Sequence, residues 1–187
     1  MTNLKSKILY KAPWLELHVS SRKFYFAQRK GINSTAVLCF RKTKHGFEFL
    51  MRYQPLPVIE LKNYKLNKAL YPCPITGSLE KNETPDQNVV KEILEESGYK
   101  ITKKNLVDCV LATASTQMNE VVFHYLADLT GVKQATNKLG DGSYFENISE
   151  NKWISQKQLE DILYRNKELY LSSLSVCYGL FLKQHKK

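Results

Sequence analysis

The segment 84–98, "TPDQNVVKEILEESG", carries both a start and a stop for one helix. Thr84 is a good N-cap, and Pro85 stands at the first helical position, where its missing N–H does no harm. Gln87 completes a Thr-x-x-Gln capping box, and Gly98 stands where a left-handed residue ends a helix. The spacing predicts a helix over 85–97. Turned at about 100° per residue, it sets Val89, Val90, Ile93 and Leu94 on one face and Glu92, Glu95 and Glu96 on the opposite one. One side is core and the other is a carboxylate cluster.

Strand signals surround this helix. "WLELHV" and "KFYFAQ" alternate with period two, and "SSR" between them is a turn. "STAVLCFRK" is a continuous apolar run, which suits a buried strand, and "GFEFLMRYQ" reads as its hairpin partner. Residues 57–72 have no clear period and read as a long loop or insertion. "NLVDCVLATAS", "EVVFHYLADL" and "KWIS" are further strands, and residues 130–151 are a loop. "QKQLEDILYRNK" and "LYLSSLSVCYGLFLKQ" have helical spacing. The strands are not each followed by a helix, so the pattern points to an α+β fold, a mixed sheet covered by helices, rather than a doubly wound parallel one.

The chain has 187 residues, one ordinary domain in length, and a hydrophobic fraction of 43% is enough for a core. Cys39, Cys73, Cys109 and Cys177 are scattered with no metal-ligand spacing and read as reduced thiols of a cytoplasmic protein. No leader-like apolar run opens the sequence, and no stretch is apolar enough to span a membrane. A net charge of +10 favours anionic partners such as nucleotides, nucleic acid or phosphorylated metabolites; a solvated lysine-rich surface is the plainer explanation.

Against that basic background, the acidic stretch stands out. Like charges at i and i+4 cost a helix a few tenths of a kcal/mol per pair, roughly, and these lie toward the C-terminal half, where the helix dipole disfavours anions. A divalent cation would remove the conflict. "GSLEKNE" adds Glu83 just ahead of the helix, where it folds back over the first turns. Mg²⁺ prefers oxygen ligands and uses a few carboxylates together with substrate phosphates. A carboxylate off the metal could orient or deprotonate water. A merely solvated acidic face is the alternative.

At these residues the sequence resembles the Nudix hydrolases. Their box runs Gly, five residues, Glu, seven residues, Arg-Glu, an apolar residue, any residue, Glu-Glu, any residue, Gly, then an apolar residue. Gly77, Glu83, Glu92, Ile93, Glu95, Glu96 and Gly98 fit it without a gap. Lys91 replaces the family's Arg, keeping the charge but losing the bidentate fork, and Tyr99 replaces an aliphatic residue. The resemblance extends toward the ADP-ribose pyrophosphatase-like branch through "YKAPWLELHV", "FLMRYQPLP", "YFENISENKWIS" and "ELYLSSLSVCYGLFL", whereas "PCPITG" departs from that branch's usual lead-in.

The resemblance implies a Nudix fold, a mixed sheet between helices in an α/β/α arrangement. Residues 1–34 would be extra N-terminal antiparallel strands serving dimerisation, and 35–187 the catalytic domain. It implies a pyrophosphohydrolase that cleaves a nucleoside diphosphate linked to another moiety, ADP-ribose or a nucleotide sugar, in a homodimer. Glu92, Glu95 and Glu96 would ligate Mg²⁺ or Mn²⁺, Glu83 would support the site, and Glu146, with Glu150 second, would activate water. Arg52 would contact a phosphate. Two alternatives stay open: a hydrolase acting on RNA ends or dinucleotides, and a Nudix-fold module that binds nucleotide or RNA with little hydrolysis. Tyr53, Tyr71 and Phe145 are candidates for stacking on a base, but in a chain with eleven tyrosines each reads first as a packing or surface residue. His18, His45, His124 and His185 have no metal or triad spacing and read as structural or surface residues.

Overall fold

The computed structural model describes residues 5–56, 70–135, 148–165 and 169–185. Among these residues ten strands and three α-helices follow in order: β1 Ser6–Lys11, β2 Leu15–Ser20, β3 Tyr25–Arg29, β4 Ser34–Thr43, β5 Gly46–Gln54, β6 Tyr71–Cys73, β7 Ile75–Ser78, α1 Pro85–Ser97, β8 Leu106–Thr113, β9 Val121–Asp128, β10 Glu150–Ser155, α2 Gln156–Glu160 and α3 Ser173–His185.

A seven-stranded mixed sheet forms the centre. Its main path is β10-β5-β4-β9-β8, with β6 added to β5 and β7 to β4. The β4–β9 pair is parallel and the other pairs are antiparallel. β4 explains the continuous apolar run, because its alternate residues enter two cores. Ala36, Leu38 and Phe40 pack with Leu174, Tyr178 and Phe181 of α3, while Val37 and Cys39 pack with Val89 and Ile93 of α1. The result is the expected α+β architecture of a mixed sheet between helices.

A separate antiparallel sheet, β1-β2-β3, makes the extra N-terminal layer. It joins the main body through the 117–119 turn: the Ala27 N–H donates to the Gln117 carbonyl (2.8 Å), and the Asn119 N–H donates to the Ala27 carbonyl (3.0 Å).

Five elements differ from the sequence expectation. β1 is a strand of its own, exposed along its whole length, so burial leaves no clean alternation to read. Residues 71–78 form β6 and β7, where Pro72 and Pro74 hide two short pairings; the rest of the expected 57–72 loop, 57–69, lies outside the described residues. Strand β10 begins at Glu150, inside the stretch read as a loop. The penultimate helix is only Gln156–Glu160, followed by a wider π-helical turn over Asp161–Arg165. All four cysteines are free thiols, and three of them are buried. Among the described residues no helix is long and apolar enough to cross a membrane.

Candidate active site

Helix α1 begins and ends as its sequence requires. The Thr84 side chain accepts from the Gln87 N–H, and the Gln87 side chain accepts from the Thr84 N–H, closing the capping box. Gly98 takes the left-handed conformation at φ 74°, and its N–H donates to the Leu94 carbonyl. Beyond the helix, the Asn151 side chain donates to the Glu96 carbonyl and the Gln134 side chain to that of Ser97, so the last-turn carbonyls are satisfied by neighbouring segments. Tyr99 is buried, and its hydroxyl accepts from Trp153.

A cavity of about 1260 Å³ opens beside this helix. Gly77, Glu80, Glu83, Glu92, Glu95 and Glu96 all line it, as do Lys30, Lys81 and Lys91. Gly77 lies on β7, opposite Thr35 of β4. Its missing side chain makes room for Glu92, because a Cβ at Gly77 would come within 2.3 Å of Glu92 Oε1. Burial pushes the Glu92 carboxyl up to about 7; the nearby charges of Glu95 and Glu83 push the same way, against Lys91 and a hydrogen bond from Asn88.

The other predicted residues occupy distinct settings. Glu83 Oε2 accepts from the Glu80 N–H (3.1 Å) and from Asn88 Nδ2 (2.9 Å). Lys91 Nζ lies 2.8 Å from Glu80 Oε1. Glu96 is buried rather than on an open acidic face: it lies three residues from Ile93 and seven from Val89, so it borders the apolar stripe. Arg52 Nε meets it 3.1 Å from Oε2. Arg52 itself is buried at 2% exposure and also donates to Gln54 Oε1 (2.9 Å), so the structure brings it to Glu96 and not to the cavity lining. Glu150, at the start of β10, pairs with Lys152. Tyr71 is buried, and Lys152 lies over the ring of Tyr53. Glu146 and Phe145 lie outside the described residues. His18 and His124 are buried, His185 stacks on Phe181, and His45 sits in an exposed turn.

Several participants were not evident from the sequence. Asn88 is fully buried and bonded to Thr35, Ser78, Glu83 and Glu92; its signal was a polar residue four positions before Glu92, at the edge of an apolar face. Trp14 and Lys30 come to the cavity from the N-terminal sheet, with Lys30 Nζ 4.8 Å from the Trp14 ring centre. Arg29 of β3 donates to Ser78 Oγ, next to Gly77, and to the buried Glu120, which also accepts from Ser34. Nothing in the local sequence signals these long-range partners.

The donor set suits a hard divalent cation, since it is made of carboxylate oxygens and Gly77 leaves Glu92 free to lie over β7. As the side chains stand, no three His, Cys, Asp or Glu among the described residues converge to metal-holding distance. Glu96 is turned to Arg52, and Glu83 is held at the mouth of the preceding loop.

The fold and site together define an α/β/α sandwich with a glutamate-lined cavity beside the strand that carries Gly77. The NUDIX domain model matches residues 33–172, about three quarters of the 187 residues, and the chain belongs to the Nudix family. Members are pyrophosphohydrolases of nucleoside diphosphates linked to another moiety, and they generally use divalent ions such as Mg²⁺. The match leaves the β1–β3 sheet outside it. No curated protein matches the chain significantly.

The raised Glu92 carboxyl gives a signed prediction for the metal-free protein. Its folded value, about 7, lies above the ordinary 4.5, so the fold holds the protonated form better. Stability from this group is present below about pH 4.5 and is lost as pH rises through about 7, by a total on the order of 3 kcal/mol. Urea unfolding in EDTA at pH 5 and pH 8 should therefore show Glu92→Gln gaining on the parent as pH rises. A difference independent of pH would contradict this.

Proposed function

We propose that the protein cleaves the pyrophosphate bond of a nucleoside diphosphate joined to another moiety, ADP-ribose or a nucleotide sugar, as in the ADP-ribose pyrophosphatase-like branch it resembles. The observation that carries the reading is that one cavity gathers Gly77, Glu83, Glu92, Glu95 and Glu96 together with Lys30, Lys81 and Lys91. It is roomy enough for such a substrate.

Glu92, Glu95 and Glu96 would hold Mg²⁺ or Mn²⁺, which would neutralise phosphate charge and polarise the bond to be broken. Glu83 supports this set from the loop. Lys30, Lys81 and Lys91 attract and orient the anionic substrate. Glu146 is the residue for activating water, with Glu150 second. Arg52 acts on the site through Glu96, orienting that carboxylate by their ion pair. Hydrolysis of ADP-ribose adds water across the P–O–P bridge and yields AMP and ribose 5-phosphate. A second reading, a Nudix-fold module that binds nucleotide or RNA without hydrolysis, is favoured by one observation: Lys91 is engaged with Glu80 and not with a box glutamate.

Residues 1–34 are proposed as the dimerisation element and 35–187 as the catalytic domain. Tyr10, Leu15, Leu17 and Tyr25 of the N-terminal sheet are exposed, which supports pairing of two copies. A cytoplasmic location belongs to the same reading and is supported by the free, mostly buried thiols.

Product analysis tests the reaction. With Mg²⁺ or Mn²⁺, the protein should release AMP from ADP-ribose, and Glu95→Gln and Glu96→Gln should each lose at least 100-fold in kcat/KM, on the order of 3 kcal/mol. Nucleotide sugars, dinucleoside polyphosphates and capped RNA serve as competing substrates. Ligand binding without product at saturating metal would select the binding-module reading. For the assembly, light scattering at micromolar concentration should give twice the 21.7 kDa chain mass; a monomer would refute the dimer.

A further inference from the structure

Asn88 occupies an unusual position for a polar side chain. It sits on α1 between Thr84 and Glu92, next to Val89, and has no solvent exposure. Asn88, Glu92 and Glu96 follow one another at intervals of four, so they form a row along the border of the buried face.

Its amide orientation follows from its neighbours. Nδ2 faces the Ser78 carbonyl (3.1 Å), Glu83 Oε2 (2.9 Å) and Glu92 Oε1 (3.4 Å). The Ser78 backbone carbonyl can only accept, so the NH₂ group must point to it and to the two carboxylates on the same side. Oδ1 is then left for the Thr35 hydroxyl, which donates to it at 2.5 Å. Thr35 is buried on β4 and is paired with Gly77. One buried amide therefore ties together β4, the end of β7, the loop carboxylate Glu83 and the helix carboxylate Glu92.

Lys91 does not share this task. Its ammonium is bonded to Glu80, although the charges of Glu83 and Glu95 also act on it. We infer that Asn88, fixed by Thr35, is the residue that positions Glu83 and Glu92 for a divalent cation in this chain, in place of a cation fork from position 91. The inference rests on the metal-site reading above. Asn88 is a positioning residue: it reaches the ion only through the two glutamates.

The test is Mn²⁺ binding to the whole protein without substrate, followed by the electron paramagnetic resonance of free Mn²⁺, with a thermal melt of each variant in EDTA. Asn88→Ala should fold and bind Mn²⁺ tenfold or more weakly, the range expected when a partner of metal ligands is removed. Adding Lys91→Arg to Asn88→Ala should recover several-fold of that loss, because a longer planar fork can reach Glu83. Thr35→Val keeps the side-chain size and removes only the hydroxyl donor; it should bind at least threefold more weakly, and it carries the test if Asn88→Ala does not fold. Parent-like affinity in Asn88→Ala, or in Thr35→Val where that is the variant read, overturns the inference, as does a loss that Lys91→Arg leaves untouched. Absence of Mn²⁺ binding in the parent itself would instead remove the metal-site reading, and this inference with it.

Discussion

Burial of Val89 and Ile93 against the sheet sets the orientation on which the rest of the site depends. Each is fully buried among Val37, Cys39, Leu50 and Ile75, and full burial of such a side chain stabilises by about 1.5–3 kcal/mol. That outweighs the few tenths of a kcal/mol, roughly, that neighbouring glutamates cost the helix. With the apolar stripe pinned, the row Asn88–Glu92–Glu96 must lie along its edge, and Glu95 and Lys91 must face the cavity. The unfavourable gathering of carboxylates is thus imposed by packing.

The helix and its caps were legible residue by residue, because capping chemistry and the left-handed glycine act over a few positions. The two-faced burial of β4 was legible too, since a run without alternation has no solvent side. The fate of Glu96 was less so. Periodicity alone put it with Glu92 and Glu95 on an open face, whereas it lies at the margin of the apolar stripe, buried beside an ion-pair partner. This partner, Arg52, is 44 residues earlier in the chain, beyond the reach of any local pattern. Asn88 was hidden for the same reason: its bonds go to β4, β7 and the loop, and a buried asparagine reads as a surface one until those partners are known.

The N-terminal sheet is part of the site's construction although the family match begins after it. Arg29 reaches Ser78 beside Gly77 and ties it to the buried Glu120. Trp14 and Lys30 extend the cavity wall beyond the carboxylates. A polar core hub at Asn88 and a cross-sheet link at Arg29 therefore meet on the same short strand, β7, whose glycine admits Glu92.

The central claim is that the carboxylate face of α1 is a cation site built to meet a pyrophosphate. Anomalous diffraction from crystals holding Mn²⁺ and a non-hydrolysable methylene analogue of a nucleoside diphosphate substrate tests it most directly. The account predicts an Mn²⁺ peak within ligand distance of carboxylate oxygens of Glu92, Glu95 and Glu96, shared with a phosphate oxygen of the analogue. A peak elsewhere, or an analogue bound in the cavity with no ion on these glutamates, would contradict it.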